Sequence, residues 1–262
     1  MTSAPAPRTL LTFAPMIDSE LCRLLLDRYG VTYQEEPHLF GWASLLSLRR
    51  GGTLQVPLLY GGGLRLAGPR AMVDHFEPTC LRERKLLPAR QPLRTQVEAD
   101  WQQFHGPLAD DTAALAYFHL LPHRTLTGEL FARGVPPGEA SALDWAYPLL
   151  RGAFTFFLRL GPGRAADALT RIRMACDVTD ARLADGRPFM NGDALTLSDL
   201  ALATALAPVL LPDGYRSPHP RVEDLPPTMR AVVAELRKRR TAHHVGRIYA
   251  ACGSFRRPSD HT

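Results

Sequence analysis

The sequence predicts an α/β domain followed by an all-helical one, and three observations carry that expectation. Two short apolar runs, Pro57-Leu58-Leu59-Tyr60 and Leu64-Arg65-Leu66, flank the triple glycine Gly61-Gly62-Gly63, the pattern of a tight β-hairpin. Upstream, Leu10-Leu11-Thr12-Phe13 reads as a buried strand, and Leu21, Leu24 and Leu25 follow at helical spacing up to Gly30. From Leu93 onward the apolar residues recur at intervals of a helix.

Composition sets the broad class. The 262 residues are 45% hydrophobic with a formal charge of +5, enough apolar material for one large or two small cores. No uncharged apolar run approaches the roughly 18 residues of a membrane span. The opening, Met1 to Pro7, lacks the apolar core of a secretion signal, so a cytoplasmic location without a membrane partner is expected. Cys22, Cys80, Cys176 and Cys252 are scattered and form no C-x-x-C or Cys/His group, so neither a metal site nor a disulfide framework is expected. Cys22 falls inside an apolar helix pattern and reads as a small core residue. The basic group Arg237-Lys238-Arg239-Arg240, with Arg247, Arg256 and Arg257 beyond it, reads as the solvated end of a helix. Nucleic-acid binding is disfavoured because no aromatic residue interleaves with these cations before Tyr249 and Phe255.

Taken in order, the first strand stops at Ala14-Pro15 and a helix begins near Asp18 or Ser19, either of which suits a helix cap. Val31-Thr32-Tyr33-Gln34 reads as the second strand, and the spacing from Trp42 to Arg50 predicts a short helix. Pro57 stands at the start of what reads as an edge strand. A cis bond between Val56 and Pro57 would turn the Val56 N–H and C=O outward, where an extended peptide could pair with them. Pro69 suits the first position of the next helix, where an N–H lacks a partner in any case.

Phe76-Glu77-Pro78 closes the first domain, and residues 79–92 read as a linker. Helices are expected over Leu93 to Leu121 with a kink at Gly106-Pro107, then Glu139 to Leu160, Arg164 to Ala184, Thr196 to Leu211 and Pro227 to Arg239. In the third of these, Ala165, Leu169, Ile172, Cys176, Thr179 and Leu183 make one core face. Thr196 and Asp199 form a capping pair, in which the hydroxyl can bond the Asp199 N–H while the carboxylate reaches back.

The stretch Gly51 to Leu66 with its Val56-Pro57 bond, the helix opened by Ala67-Gly68-Pro69-Arg70, the segment Leu10 to Pro37, and the run Phe189-Met190-Asn191-Gly192-Asp193 ahead of Thr196 and Asp199 together resemble the glutathione S-transferase superfamily. The resemblance implies a thioredoxin-like glutathione-binding domain, βαβ-α-ββα, at residues 1–78, a linker at 79–92, and an all-helical domain at 93–262 with a site for a hydrophobic substrate. It also implies a homodimer, with glutathione as cosubstrate and no metal. Members place a serine, cysteine or tyrosine in the turn before the first helix to face the glutathione sulfur. Here Met16 and Asp18 fall on the positions usually holding the serine or cysteine. Met16 has no proton to donate, and an ionised Asp18 would oppose a thiolate. Ser19, the one hydroxyl in the turn, is the expected sulfur donor, with Asp18 beside it.

For the tripeptide, the resemblance points to Gln55, Val56 and Pro57, with Arg49 or Arg50 available to the glycyl carboxylate. Gly68-Pro69 replaces the acidic residue or glutamine and the serine that usually hold the γ-glutamyl end, and Arg70 is the substitute anchor. Tyr117, Phe118, His119, Trp145, Tyr147 and Phe154 are expected to line the second substrate site, with Tyr117 or His119 available for chemistry. The activity implied is attack of the glutathione thiolate on a small hydrophobic electrophile, a detoxification chemistry. Glutathione-dependent lysis, isomerisation or dehalogenation on the same site, and a non-catalytic binding or scaffold role, are the alternatives.

Overall fold

A computed structural model describes residues 7–253. The N-terminal domain runs β1 (Thr9–Thr12), α1 (Ile17–Tyr29), β2 (Gln34–Pro37), α2 (Phe40–Gly51), β3 (Leu58–Gly61), β4 (Leu64–Ala67) and α3 (Gly68–Phe76). Its sheet has the order β2-β1-β3-β4, with β2 parallel to β1 and the two hairpin strands antiparallel. This is the thioredoxin-like arrangement. Gly61, Gly62 and Gly63 all have positive φ (101°, 58° and 81°), the conformation that a tight hairpin turn requires and that side chains resist.

The strands alternate faces as the pleat dictates. Leu10 and its neighbour Leu59 pack with Cys22, Leu26 and Met72 beneath α1 and α3. Leu11 and Leu58 face the other way, into a cluster with Leu39, Ala43, Leu130 and Phe131. Both sides of the sheet are thereby covered.

Several expectations for this domain are corrected. The second strand lies at Gln34–Pro37, not at residues 31–34, because the Val31 N–H reaches back to the Leu26 carbonyl (2.9 Å) and closes the end of α1. Strand β3 is interior, flanked by β1 and β4, so Pro57 does not open an edge strand. Neither Asp18 nor Ser19 caps α1. Met16 holds the cap position without a side-chain bond, and the Ser19 hydroxyl donates to the Phe13 carbonyl at 2.8 Å. The bond between Val56 and Pro57 is cis, as expected, and so is that between Gln91 and Pro92.

The remainder is helical: α4 (Leu93–Gln103), α5 (Ala109–Leu120), α6 (Arg124–Ala132), α7 (Pro137–Phe157), α8 (Pro162–Arg182), α9 (Leu197–Leu210), α10 (Pro227–Leu236) and α11 (Arg240–Gly253). The expected kink between α4 and α5 is a π-turn at Phe104–Leu108, where Pro107 cannot donate to the helical ladder. Helix α6 was not expected. Its nine residues include Gly128 and Arg124, and its apolar pattern is too short to stand out. The last predicted helix, Pro227 to Arg239, corresponds to α10, and α11 beyond it was not expected.

Helix α9 is apolar around its circumference and is packed on all sides, by α1, α4, α5, α10 and α11. The basic group at residues 237–240 is not simply a solvated helix end. Arg237 donates to the Leu210 and Leu211 carbonyls (2.7 and 2.5 Å), satisfying the end of α9, and Arg239 pairs with Asp177. Arg256, Arg257 and Phe255 lie outside the described residues.

Polar contacts tie the two domains together. His38 lies between Glu139 of α7 (2.5 Å) and Glu36 (3.2 Å), and the Leu39 N–H donates to the same Glu139 carboxylate at 2.9 Å. Burial would raise the Glu36 carboxyl, but hydrogen bonds from Arg50, Tyr60 and His38 bring it down to about 2. Burial opposes Glu35 in the same way, and Arg23 and the Thr12 hydroxyl hold it below its usual range. A carboxyl whose folded pKa is depressed adds stability above its unfolded pKa of about 4.3 and loses it as pH falls through the folded value. Stability measured by denaturant titration is therefore expected to decline between about pH 5 and pH 2, and less steeply in Arg50→Gln.

Candidate functional site

The turn Phe13-Ala14-Pro15-Met16 delivers the chain into α1 with Met16 still extended (φ −77°, ψ 138°). The Ser19 and Glu20 N–H groups both reach back to the Met16 carbonyl (3.0 and 3.3 Å). Among the described residues the Ile17 and Asp18 N–H groups have no hydrogen-bond partner, as is usual in a first helical turn, and they give that end a partial positive charge.

This turn borders a cavity of about 480 Å³ between the two domains. Phe13, Pro15, Met16, Ile17, Asp18 and Phe40 form its wall on the sheet side, and Ala113, Tyr117, Phe131, Phe154 and Phe157 are among those on the helical side. The aromatic rings brace one another edge to face: Phe13 meets Phe40 at 5.7 Å and Phe131 at 5.4 Å, and Tyr117 meets Phe154 at 4.9 Å. Such walls suit an apolar ligand.

The titratable groups in this lining are Asp18, His105, Asp110, Tyr117, Tyr215 and His219. His105 Nε2 lies 3.0 Å from Asp18 Oδ1, and the imidazole stacks on Trp101 with centroids 4.6 Å apart. Burial raises the Tyr117 and Tyr215 phenols, so both stay neutral. Burial also lifts the Asp110 carboxyl, more than the nearby Arg164 lowers it.

No protein family's sequence pattern matches this chain, and no curated protein matches it. Solved structures do. A glutathione S-transferase from Rhodospirillum rubrum is 17% identical, with 91% of each chain covered and a TM-score of 0.57. FzlA from C. crescentus is 20% identical over 97% of this chain and 94% of that one, with a TM-score of 0.53. The β-etherase LigF from a Sphingobium species is 13% identical, over 91% and 98%, with a TM-score of 0.56. This chain has the glutathione S-transferase fold.

Within a glutathione S-transferase fold, the residues singled out from sequence divide into two groups. Asp18, Tyr117 and Phe154 line the cavity. Ser19 does not: it is fully buried, with its hydroxyl on the Phe13 carbonyl. Trp145 stands 72% exposed on α7, and His119, its pKa lowered by burial and by His123, meets the Thr228 hydroxyl at 3.2 Å. Phe118 and Tyr147 are also absent from the lining, the Tyr147 hydroxyl donating to the Leu121 carbonyl at 2.8 Å.

Along the expected tripeptide groove, no hydrogen bond involves the Val56 backbone among the described residues. Pro57 is buried, and its carbonyl accepts the Gly68 N–H at 2.8 Å. Gln55 is exposed, and its carbonyl accepts the Ser47 hydroxyl at 2.6 Å. Arg49 is exposed, whereas Arg50 is held by Glu36 and Tyr60. Arg70 is engaged by Asp74 (2.9 Å) and Glu98 (2.7 Å).

His105 is the residue that sequence reasoning missed. The kink at Gly106-Pro107 was visible, and the histidine beside it is the signal that could have found it. Gly68 has φ +78°, and a Cβ there would collide with the Gln55 side-chain amide. Gly68→Ala is expected to cost about 1–2 kcal/mol in a denaturation experiment, from the left-handed backbone and the displaced amide together.

Proposed function

We propose that this protein is a glutathione-dependent enzyme that brings the glutathione sulfur to the first turn of α1 and an apolar electrophile into the cavity beside it. The observation that carries this reading is the cavity itself, walled by aromatic side chains and bordered by unpaired N–H groups that favour a thiolate. The Val56 N–H and C=O would pair with the cysteinyl backbone of the tripeptide, with Gln55 and Pro57 beside them and the exposed Arg49 near the glycyl end. Arg70 would have to leave Asp74 or Glu98 to serve as an anchor. Asp18 and Tyr117 would face the reacting groups. A homodimer in the cytoplasm, acting in detoxification, completes the reading.

Retention on immobilised glutathione followed by turnover of a chlorodinitrobenzene-type electrophile tests it. Retention with conjugation is expected. Retention without conjugation favours lysis, isomerisation or dehalogenation, the first of which draws support from the shared fold of a β-etherase. Calorimetry with no binding at millimolar glutathione overturns both in favour of a non-catalytic binding or scaffold role. That second reading draws on Met16, the engaged Ser19 hydroxyl and the Gly68-Pro69 pair.

A further inference from the structure

Met16 has no proton to exchange and the Ser19 hydroxyl is spent on a carbonyl, so the turn before α1 holds no free hydroxyl for a bound thiol. The group that faces this turn comes from the other domain. We propose that His105, oriented by Asp18, is the base that takes the glutathione thiol proton and later releases it; this rests on the glutathione-dependent reading above.

The geometry assigns the tautomer. A carboxylate only accepts, so the 3.0 Å contact places a proton on His105 Nε2 and leaves Nδ1 as the basic nitrogen. No hydrogen bond occupies Nδ1 among the described residues. The stack on Trp101, 4.6 Å between centroids and 18° between planes, holds the ring while Asp18 fixes its rotation. Both partners line the cavity and are largely shielded, with side-chain exposures of 26% and 21%. Asp18 belongs to the first turn of α1, so the imidazole lies against the helix end that would stabilise a thiolate. The π-turn at Phe104–Leu108 carries His105 where two regular helical segments meet, a setting in which such turns recur at functional sites.

The like-charge objection to Asp18 then changes sign. Once Nδ1 has taken a proton, an imidazolium stands between carboxylate and thiolate and is stabilised by both. In the reaction, the S–H proton passes to Nδ1 and its electron pair stays on sulfur. That pair forms the S–C bond as the bond from carbon to the leaving group breaks, its electrons departing with the leaving group. The imidazolium then returns its proton to the leaving group, or to solvent where halide leaves.

Titratable groups near His105 are Asp18 on α1, Asp110 on α5 and His219 in the loop before α10, with Arg164 of α8 and Asp111 acting on Asp110. Tyr117 and Tyr215 stay neutral through the working range. The test combines glutathione calorimetry, the ultraviolet absorbance of bound thiolate against pH, and conjugation rates for wild type, His105→Gln and Asp18→Asn. In the wild type the bound thiol is expected to ionise below its free value of about 8.5. His105→Gln should return it towards that value and lower the neutral-pH rate by about 100-fold, with the gap closing as pH rises and the glutathione affinity weakened only as far as the lost ionisation requires. Asp18→Asn, which keeps the shape of the pair, should give a smaller shift in the same direction and stands in if His105→Gln does not fold. Bound glutathione whose titration and turnover are unchanged in a folded variant overturns the role of His105 alone. A wild type that binds no glutathione overturns the role and the reading beneath it together.

Discussion

Asp199→Ala is expected to lower the stability of the protein by about 4 kcal/mol, because it strips the partner from a set of buried donors. The carboxylate is fully buried, and each of its oxygens has two partners. Oδ2 accepts the Thr196 N–H and hydroxyl, both at 2.8 Å, which closes the capping box of α9. Oδ1 accepts the Met190 N–H at 2.7 Å and meets His244 Nε2 at 3.1 Å. Alanine would leave these groups without water or protein to bond. Guanidinium denaturation checks the magnitude. A loss near 1 kcal/mol, the size of an ordinary exposed cap, would show that the network relaxes around the gap. Since α9 touches helices from both domains, the loss is expected in one cooperative transition.

Arg23→Met should cost a similar amount, about 3–5 kcal/mol, chiefly by leaving the buried Glu20 carboxylate unpaired, with a smaller part from the more accessible Glu35. The guanidinium contacts Glu20 at 2.9 Å, Glu35 at 2.6 Å, the Ser217 hydroxyl at 2.9 Å and the Ala14 carbonyl at 3.2 Å. Glu20, fully buried, also accepts the Arg216 N–H at 3.1 Å, so the cluster joins α1 to the loop ahead of α10. The cost comes from the stranded charges rather than from the worth of the pairs. Adding Glu20→Gln and Glu35→Gln to Arg23→Met is therefore expected to recover part of the loss, and a triple variant less stable than the single one would refute that explanation.

These two networks mark where sequence reasoning succeeds and where it stops. The Thr196 and Asp199 pair was legible because a capping box is local: both partners lie within one helical turn, and an apolar helix follows. Asp199's further bonds to Met190 and His244 were not, since His244 lies 45 residues away. The hairpin was legible for the same reason as the cap, as three glycines in a row admit few other conformations. The second strand was misplaced because Val31 and Tyr33 have strand-like side chains, while the pairing is set by which residues lie beside β1. Glu35 and Glu36, which look like a polar loop, occupy that strand because Arg23 and Arg50 neutralise them.

The candidate site shows the same division more sharply. Asp18 could be placed in the turn before α1 from sequence, and Ser19 beside it, yet one residue of helical rotation sends Asp18 to the cavity and Ser19 to the interior. The kink at residues 106–107 was visible, but nothing in the chain says that it brings a histidine to a carboxylate 87 residues earlier. The order of elements in the first domain, the hairpin and the cap of α9 follow from residue pattern, because each depends on neighbours along the chain. Which oxygen meets which nitrogen across the cavity depends on how two separately patterned domains dock, and that is settled by burial of their shared apolar faces, in a geometry that periodicity does not encode.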